Sequence, residues 1–467
     1  MKIDKILNPW KEKGLSLMGK VTLVNTLIVS QFIFLLSSLP SPSSAFFDKY
    51  EKKIFKFLWR DGPERVKRKT IYNDYDQGGL KLQNLRAVDL KLKAALVPKL
   101  HKNENWFCSK LLSFSSPVLR TSTFPFAQLK TNDFEILIKK VVSLFFRQVI
   151  QSWLKYQLRP PENSIQVKQQ LLCLNSHICI NRRPFCSSAF FNKKVLFVND
   201  IIDAENNFLS FDSFVVKFGD VCTAYQYHQL LSAIPPQWKH ILRQGSSELR
   251  VCIPACRDVT WLHSKNINKC LYAFYMNEAR LCETSDRIQY TWEDYFNCPI
   301  PWQKVYSLPY KISIDSSVCM FQHKLLFKYL TVNKTLYTWG LKESPLCEYC
   351  NEDEETVFHL FFHCRVATLF WRQVEDWFFV NTGEHLNLNL FKVIFGDLNC
   401  RCPVSANMII LLGKHFIFKN RQRSLNLQAF ISYMSYFHRL EYIIAKRMDK
   451  IKEHFGKWGK IALSLKQ

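Results

Sequence analysis

Glycine is scarce in this chain, with 13 in 467 residues. So few flexible positions argue against barrels and propellers, which need many tight turns. Acidic side chains are also in deficit: 39 Asp and Glu stand against 64 Lys and Arg, a formal charge of +25. A body this basic attracts polyanions. The 16 cysteines are too dilute for a disulfide scaffold, which concentrates them in short secreted chains. Several familiar catalytic patterns are missing as well. The sequence holds no glycine-rich phosphate loop, no nucleophile elbow and no His-Glu-x-x-His. Nor does it hold a Tyr-x-Asp-Asp pair of carboxylates to carry two divalent ions for nucleotidyl transfer. The expectation is a protein that is not itself an enzyme.

Apolar residues are plentiful: 48% of the chain is hydrophobic and 38 residues are Phe, enough for a large core. Cys173, Cys222, Cys270, Cys282 and Cys319 sit alone in apolar surroundings. They are expected as buried thiols of an intracellular protein of the cytoplasm or nucleus. Residues 21–39 form the longest apolar run. Asn25 and Gln31 interrupt it, lysines flank both ends, and twenty residues with charges of both signs precede it. That is a poor signal-peptide start and gives no orientation bias. A buried core helix is expected and membrane association is not, with a single-pass anchor as the alternative.

Periodicity predicts a mainly α fold with minor β. Helices are expected at 8–39, 44–60, 85–101, 133–157, 266–282, 321–339, 365–379 and 426–455. Pieces at 194–201 and 209–218 read as strand-like, and the proline-bearing stretches at 235–238 and 299–309 read as loops. Four consecutive regions are expected: a helical module at 1–110, a mixed, mostly helical region at 111–320, a cysteine-bearing region at 321–410 and a basic helical tail at 411–467. The first region has 21 Lys and Arg against 10 Asp and Glu, and the last has 12 against 3. Within them, Arg65, Lys67, Arg68 and Lys69 form one candidate phosphate-contacting patch, and Lys414, Lys419, Arg421 and Arg423 another. Trp371 and Trp377 are expected in the core rather than stacked on bases.

One constellation carries specific chemistry. Cys347 and Cys350 are two residues apart, His359 follows after eight, and Cys364 after four more. Two thiolates from a tight turn, a third thiolate and an imidazole complete a tetrahedron that suits Zn²⁺, closed and therefore structural. His363 competes with Cys364 for the last position, but eight residues between the second Cys and the first His are fewer than the about twelve of a Cys2His2 finger. Cys364 is favoured. Cys252, Cys256 and His263, and separately Cys400 and Cys402, read as incidental.

Taken in order, these pieces form a pattern. WKEKGLSLMGKVTLVNTLIVSQFIFLLSSLPSP at 10–42, IFKFLW at 54–59, GGLKL at 78–82, the knuckle with the following Trp371, and LLGKHFIFKNR at 411–421 appear in succession. The chain resembles the carboxy-terminal part of the reverse-transcriptase polyprotein of long interspersed, non-LTR retrotransposons. The resemblance implies thumb-side helices in the first stretches, with 21–39 buried among them, and a zinc knuckle docked on carboxy-terminal helices. It places the family's endonuclease, fingers and palm, with their catalytic carboxylates, before Met1. RNA or an RNA/DNA hybrid is the implied partner. The alternatives are an accessory part that works with a polymerase-bearing partner in target-primed reverse transcription, and a decayed copy without function.

Overall fold

The computed structural model describes residues 2–102, 143–157, 161, 163–244, 266–278, 287–399 and 404–465. The fold is mainly α. Among the described residues the one sheet pairs two-residue strands, Cys179–Ile180 and Arg183–Pro184, antiparallel. Two compact units form, and neither is continuous in sequence. One comprises Met1–Ile28, Lys49–Gln83 and Cys282–Gln467. The other comprises Val29–Asp48 and Asn84–Leu281. This division cuts across the four consecutive regions, because stretches far apart in sequence share each core.

Helix Ser44–Leu58 follows its sequence pattern. Phe47, Tyr50, Ile54, Phe57 and Leu58 are buried on one stripe, while Lys49, Lys52 and Lys56 stay in solvent. The first helix begins earlier than expected, at Lys2, with Pro9 inside it. The stretch 209–218 is a helix, Phe211–Phe218, not a strand; the Ser210 hydroxyl caps it by accepting from Ser213 N–H. Prolines at 236 and 301 start helices Pro236–Gln244 and Trp302–Ile312 where loops were expected, since proline is well suited to a helix's first turn. The predicted helix at 321–339 is two, Ser316–Leu326 and Asn333–Thr338. The tail likewise breaks into Leu427–Arg447 and Ile451–Trp458.

The helical run Leu17–Ser38 is long and apolar enough to cross a membrane, and one third of its most apolar window is buried. In its first half Val21, Leu23, Val24 and Ile28 are buried, as expected. Asn25 explains its own presence there: its amide donates to the Lys81 carbonyl and accepts from Gln83 N–H. The second half departs from the expectation. Ile33, Leu35 and Leu39 are about half exposed, and Phe34 is 75% exposed. A run that is apolar on every side gives no periodic cue to which face meets solvent.

In the first unit, Val404–Lys419 is the central helix, with every residue from Ser405 to Ile417 buried. A Cβ on Gly413 would come 2.4 Å from Trp371 Cη2, so only glycine lets the tryptophan pack on this helix. Trp371 is buried and donates its indole N–H to the Phe361 carbonyl at 2.8 Å, confirming its place in the core. Gly79 has a similar role: an added Cβ would lie 2.0 Å from the Asn73 carbonyl oxygen. In the second unit Lys93 is fully buried, yet satisfied by Asp89 at 2.5 Å and by the Leu36 carbonyl at 3.1 Å.

Among the lone cysteines, Cys173 and Cys319 are buried, but Cys222 is half-buried and Cys270 exposed. Cys270 lies on helix Ile267–Glu278, whose apolar sequence overstates its burial. Cys252, Cys256, His263, Cys282, Cys400, Cys402 and residues 133–142 of the helix expected at 133–157 fall outside the described residues, and the rest of that helix forms as Leu144–Gln157.

Candidate metal centre and cationic surfaces

The knuckle is built from the chain outward. Segment 345–355 turns back on itself: Cys347 N–H donates to the Asp353 carbonyl, Glu355 N–H to Pro345, and Leu346 bridges Glu354. Asn351 closes the turn at φ 57°, a left-handed position that asparagine tolerates better than most side chains. The backbone N–H groups of Tyr349 and Cys350 donate to the Cys347 sulfur and favour its ionised form. The π-helical turn His359–His363 supplies the imidazole, and Cys364 caps helix Arg365–Thr382.

Cys347, Cys350, His359 and Cys364 are all buried, and their ligand atoms lie within 4.8 Å of one another. Cys347 Sγ is 3.9 Å from Cys364 Sγ, and Cys350 Sγ is 3.3 Å from His359 Nε2. A tetrahedron with Zn–S of about 2.3 Å sets sulfurs about 3.8 Å apart. These two separations are close to the edges of such a tetrahedron. His363 is exposed and lies outside this set, whereas Cys364 lies within it.

The electrostatics agree. The hydrogen bond with Cys347 pushes the Cys364 thiol down to about 5 against the effect of burial, and the N–H groups of Ala367 and Val366 help. The same hydrogen bond, with burial, pushes Cys347 up. A bound cation would supply the charge that lets both ionise.

Residues 287–371 match the family model described as zinc-binding in reverse transcriptase. The match encloses all four ligands. A search of curated proteins finds no match.

Around this reverse-transcriptase-like zinc-binding segment the acidic run 351–355 does structural work that sequence reading missed. Asp353 Oδ2 stands 3.7 Å from His359 Nδ1, behind the nitrogen that faces Cys350. Carboxylates in this position orient ligating imidazoles. Glu355 is fully buried; its Oε1 accepts from Asn333 N–H and from Arg421 Nη1, each at 2.9 Å. Glu352 pairs with Arg365 and Glu354 with Lys334. Tyr349 donates its hydroxyl to the Ile417 carbonyl at 2.7 Å, which docks the knuckle on the central helix.

The eight basic candidates separate by environment. Arg65, Lys67 and Lys69 are exposed, and the Arg65 guanidinium lies 4.8 Å over the Trp339 ring. Arg68 is half-buried and bound to Glu64 and Glu51. Lys419 and Arg423 are exposed. Arg421 is half-buried and committed to Glu355. Lys414 is a correction. It is 1% exposed, donating to Gln322 Oε1 at 2.7 Å and the Ile394 carbonyl at 2.9 Å, and burial drives its ammonium well below its ordinary pKa. A side chain held there does not reach a phosphate.

Proposed function

We propose that the chain is a reverse-transcriptase-derived piece of the non-LTR retrotransposon type. In this reading it binds RNA or an RNA/DNA hybrid through phosphate contacts without base specificity, and zinc in the knuckle is structural. The observation that carries the reading is the buried Cys3His cluster at zinc-compatible separations, inside the segment that matches the reverse-transcriptase zinc-binding family. The charge of +25 supplies the attraction for a polyanion. When bound, zinc would fix the turn, the imidazole and the cap of helix Arg365–Thr382 as one unit. All four positions are filled by protein ligands, so no catalytic water has a place there.

With no Tyr-x-Asp-Asp pair in the sequence, catalysis falls to a polymerase-bearing partner, and the chain alone is expected to make no cDNA from a primed template. The test is RNA affinity of the purified chain across a salt series. A steep linear fall of log affinity with log salt supports phosphate contacts. Affinity unchanged between low and moderate salt rejects them, and cDNA synthesis by the chain alone rejects the non-enzymatic reading.

A further inference from the structure

The first unit contains a cleft of about 590 Å³ lined by parts of the chain that lie far apart in sequence. Lys20, Arg60, Arg65, Lys324 and Lys419 contribute to its wall, and among the described residues no Asp or Glu lines it. Elsewhere in this unit some cations are matched, Arg68 by two glutamates and Arg421 by Glu355. In the cleft they oppose one another. Lys324 is held below its ordinary pKa by loss of water, then by Lys419 and Arg60. Lys20 is pushed down to about 8, by burial first and Arg60 second. Two of the three Lys20 donors are spent on the Phe57 and Leu58 carbonyls.

The aromatic lining adds a second property. Trp339 is 43% exposed and already carries Arg65 on its face. Trp59 packs edge-on to Tyr329, and its buried indole N–H has no hydrogen-bond partner among the described residues. Like charges concentrated beside exposed aromatic faces, with no carboxylate to relieve them, suit a ligand with spaced phosphates and flat bases. A single phosphate would leave most of these groups unused.

We infer that this cleft seats a phosphodiester segment of single-stranded nucleic acid, with Lys324, Lys419, Arg60 and Arg65 on the backbone and Trp339 stacking a base. This rests on the proposed nucleic-acid binding and gives it a location distinct from the knuckle and from the Lys67 and Lys69 surface.

The test uses the zinc-loaded full chain and a short fluorescent oligouridylate. Lys324→Glu with Lys419→Glu is compared with Lys67→Glu with Lys69→Glu, which makes the same charge change outside the cleft. All four lysines are exposed, and thermal denaturation checks folding. The cleft pair is expected to weaken binding about tenfold more than the outside pair and to flatten the salt dependence. Trp339→Ala should weaken binding about fivefold while leaving the salt slope in place. Equal losses from the two lysine pairs would overturn the cleft while leaving the general reading intact. Binding unaffected by Trp339→Ala, with inorganic pyrophosphate displacing the strand, would reduce the cleft to an anion site and overturn the strand assignment. A wild-type chain that does not bind the oligonucleotide would overturn both.

Discussion

The knuckle and the cationic cleft lie in the same unit and treat charge in opposite ways. At the knuckle, Glu352, Glu354 and Glu355 each have a basic partner, and Asp353 faces the ligating His359. In the cleft, five cations converge without one carboxylate among the described lining residues. Charge that is balanced within the fold serves the fold. Charge left unbalanced and exposed is available to something outside it. Net charge alone does not draw this distinction, because Arg421 and Lys419 count equally in +25 but have different surroundings.

The comparison breaks most severely if the knuckle holds no metal. Cys347→Ser removes one of four ligands. Metal binding to such sites is worth on the order of 10 kcal/mol, so its loss should unfold segment 345–371 and loosen the contact between Tyr349 and Ile417. The checks are zinc content of protein purified without chelator and thermal denaturation of the variant. About one zinc per chain is expected in the wild type, and none in the variant. Metal-free wild-type protein that melts at the same temperature as the variant would remove the zinc assignment.

This centre was also the most legible part of the sequence, for a physical reason. Its four ligands lie within 18 residues, so spacing alone constrains geometry. The mainly helical fold was legible too, because stripes such as that of Ser44–Leu58 repeat at helical spacing. What failed depended on neighbours distant in the chain. Lys414 reads as one more basic residue in LLGKHFIFKN, yet its helix is buried all round and two distant acceptors, Gln322 and Ile394, take its ammonium. Phe34 reads as core and is exposed for the same kind of reason. The cleft brings together residues as far apart as Lys20 and Lys419, which no local pattern links.

A smaller effect sharpens the comparison at Glu355. This carboxylate is fully buried, with Arg421 as its ion-pair partner. Glu355→Ala leaves the Asn333 N–H without its acceptor and the half-buried guanidinium with the Thr331 carbonyl but no counter-charge, and should cost about 3 kcal/mol, read by denaturant unfolding. Oligonucleotide affinity at a temperature where the variant stays folded should hold within about twofold, because Arg421 is engaged by the fold. A large gain in affinity on freeing Arg421 would show that the knuckle's acidic run restrains binding as well as shaping the turn.

The smallest effect is expected at Lys334 and Glu354. Their contact is 2.6 Å, shorter than the 2.9 Å between Glu355 and Arg421, yet both side chains are 52% exposed. Water screens such a pair, and ordering two long side chains offsets most of the gain. Lys334→Ala should therefore lower stability by less than about 1 kcal/mol, and the loss should vanish in high salt. Burial and not distance then ranks the pairs around the zinc site, with Glu355 and Arg421 above Glu354 and Lys334. If Lys334→Ala costs as much as Glu355→Ala in low salt, the acidic run acts as one coupled network, and the contrast with the cations of the cleft becomes sharper still.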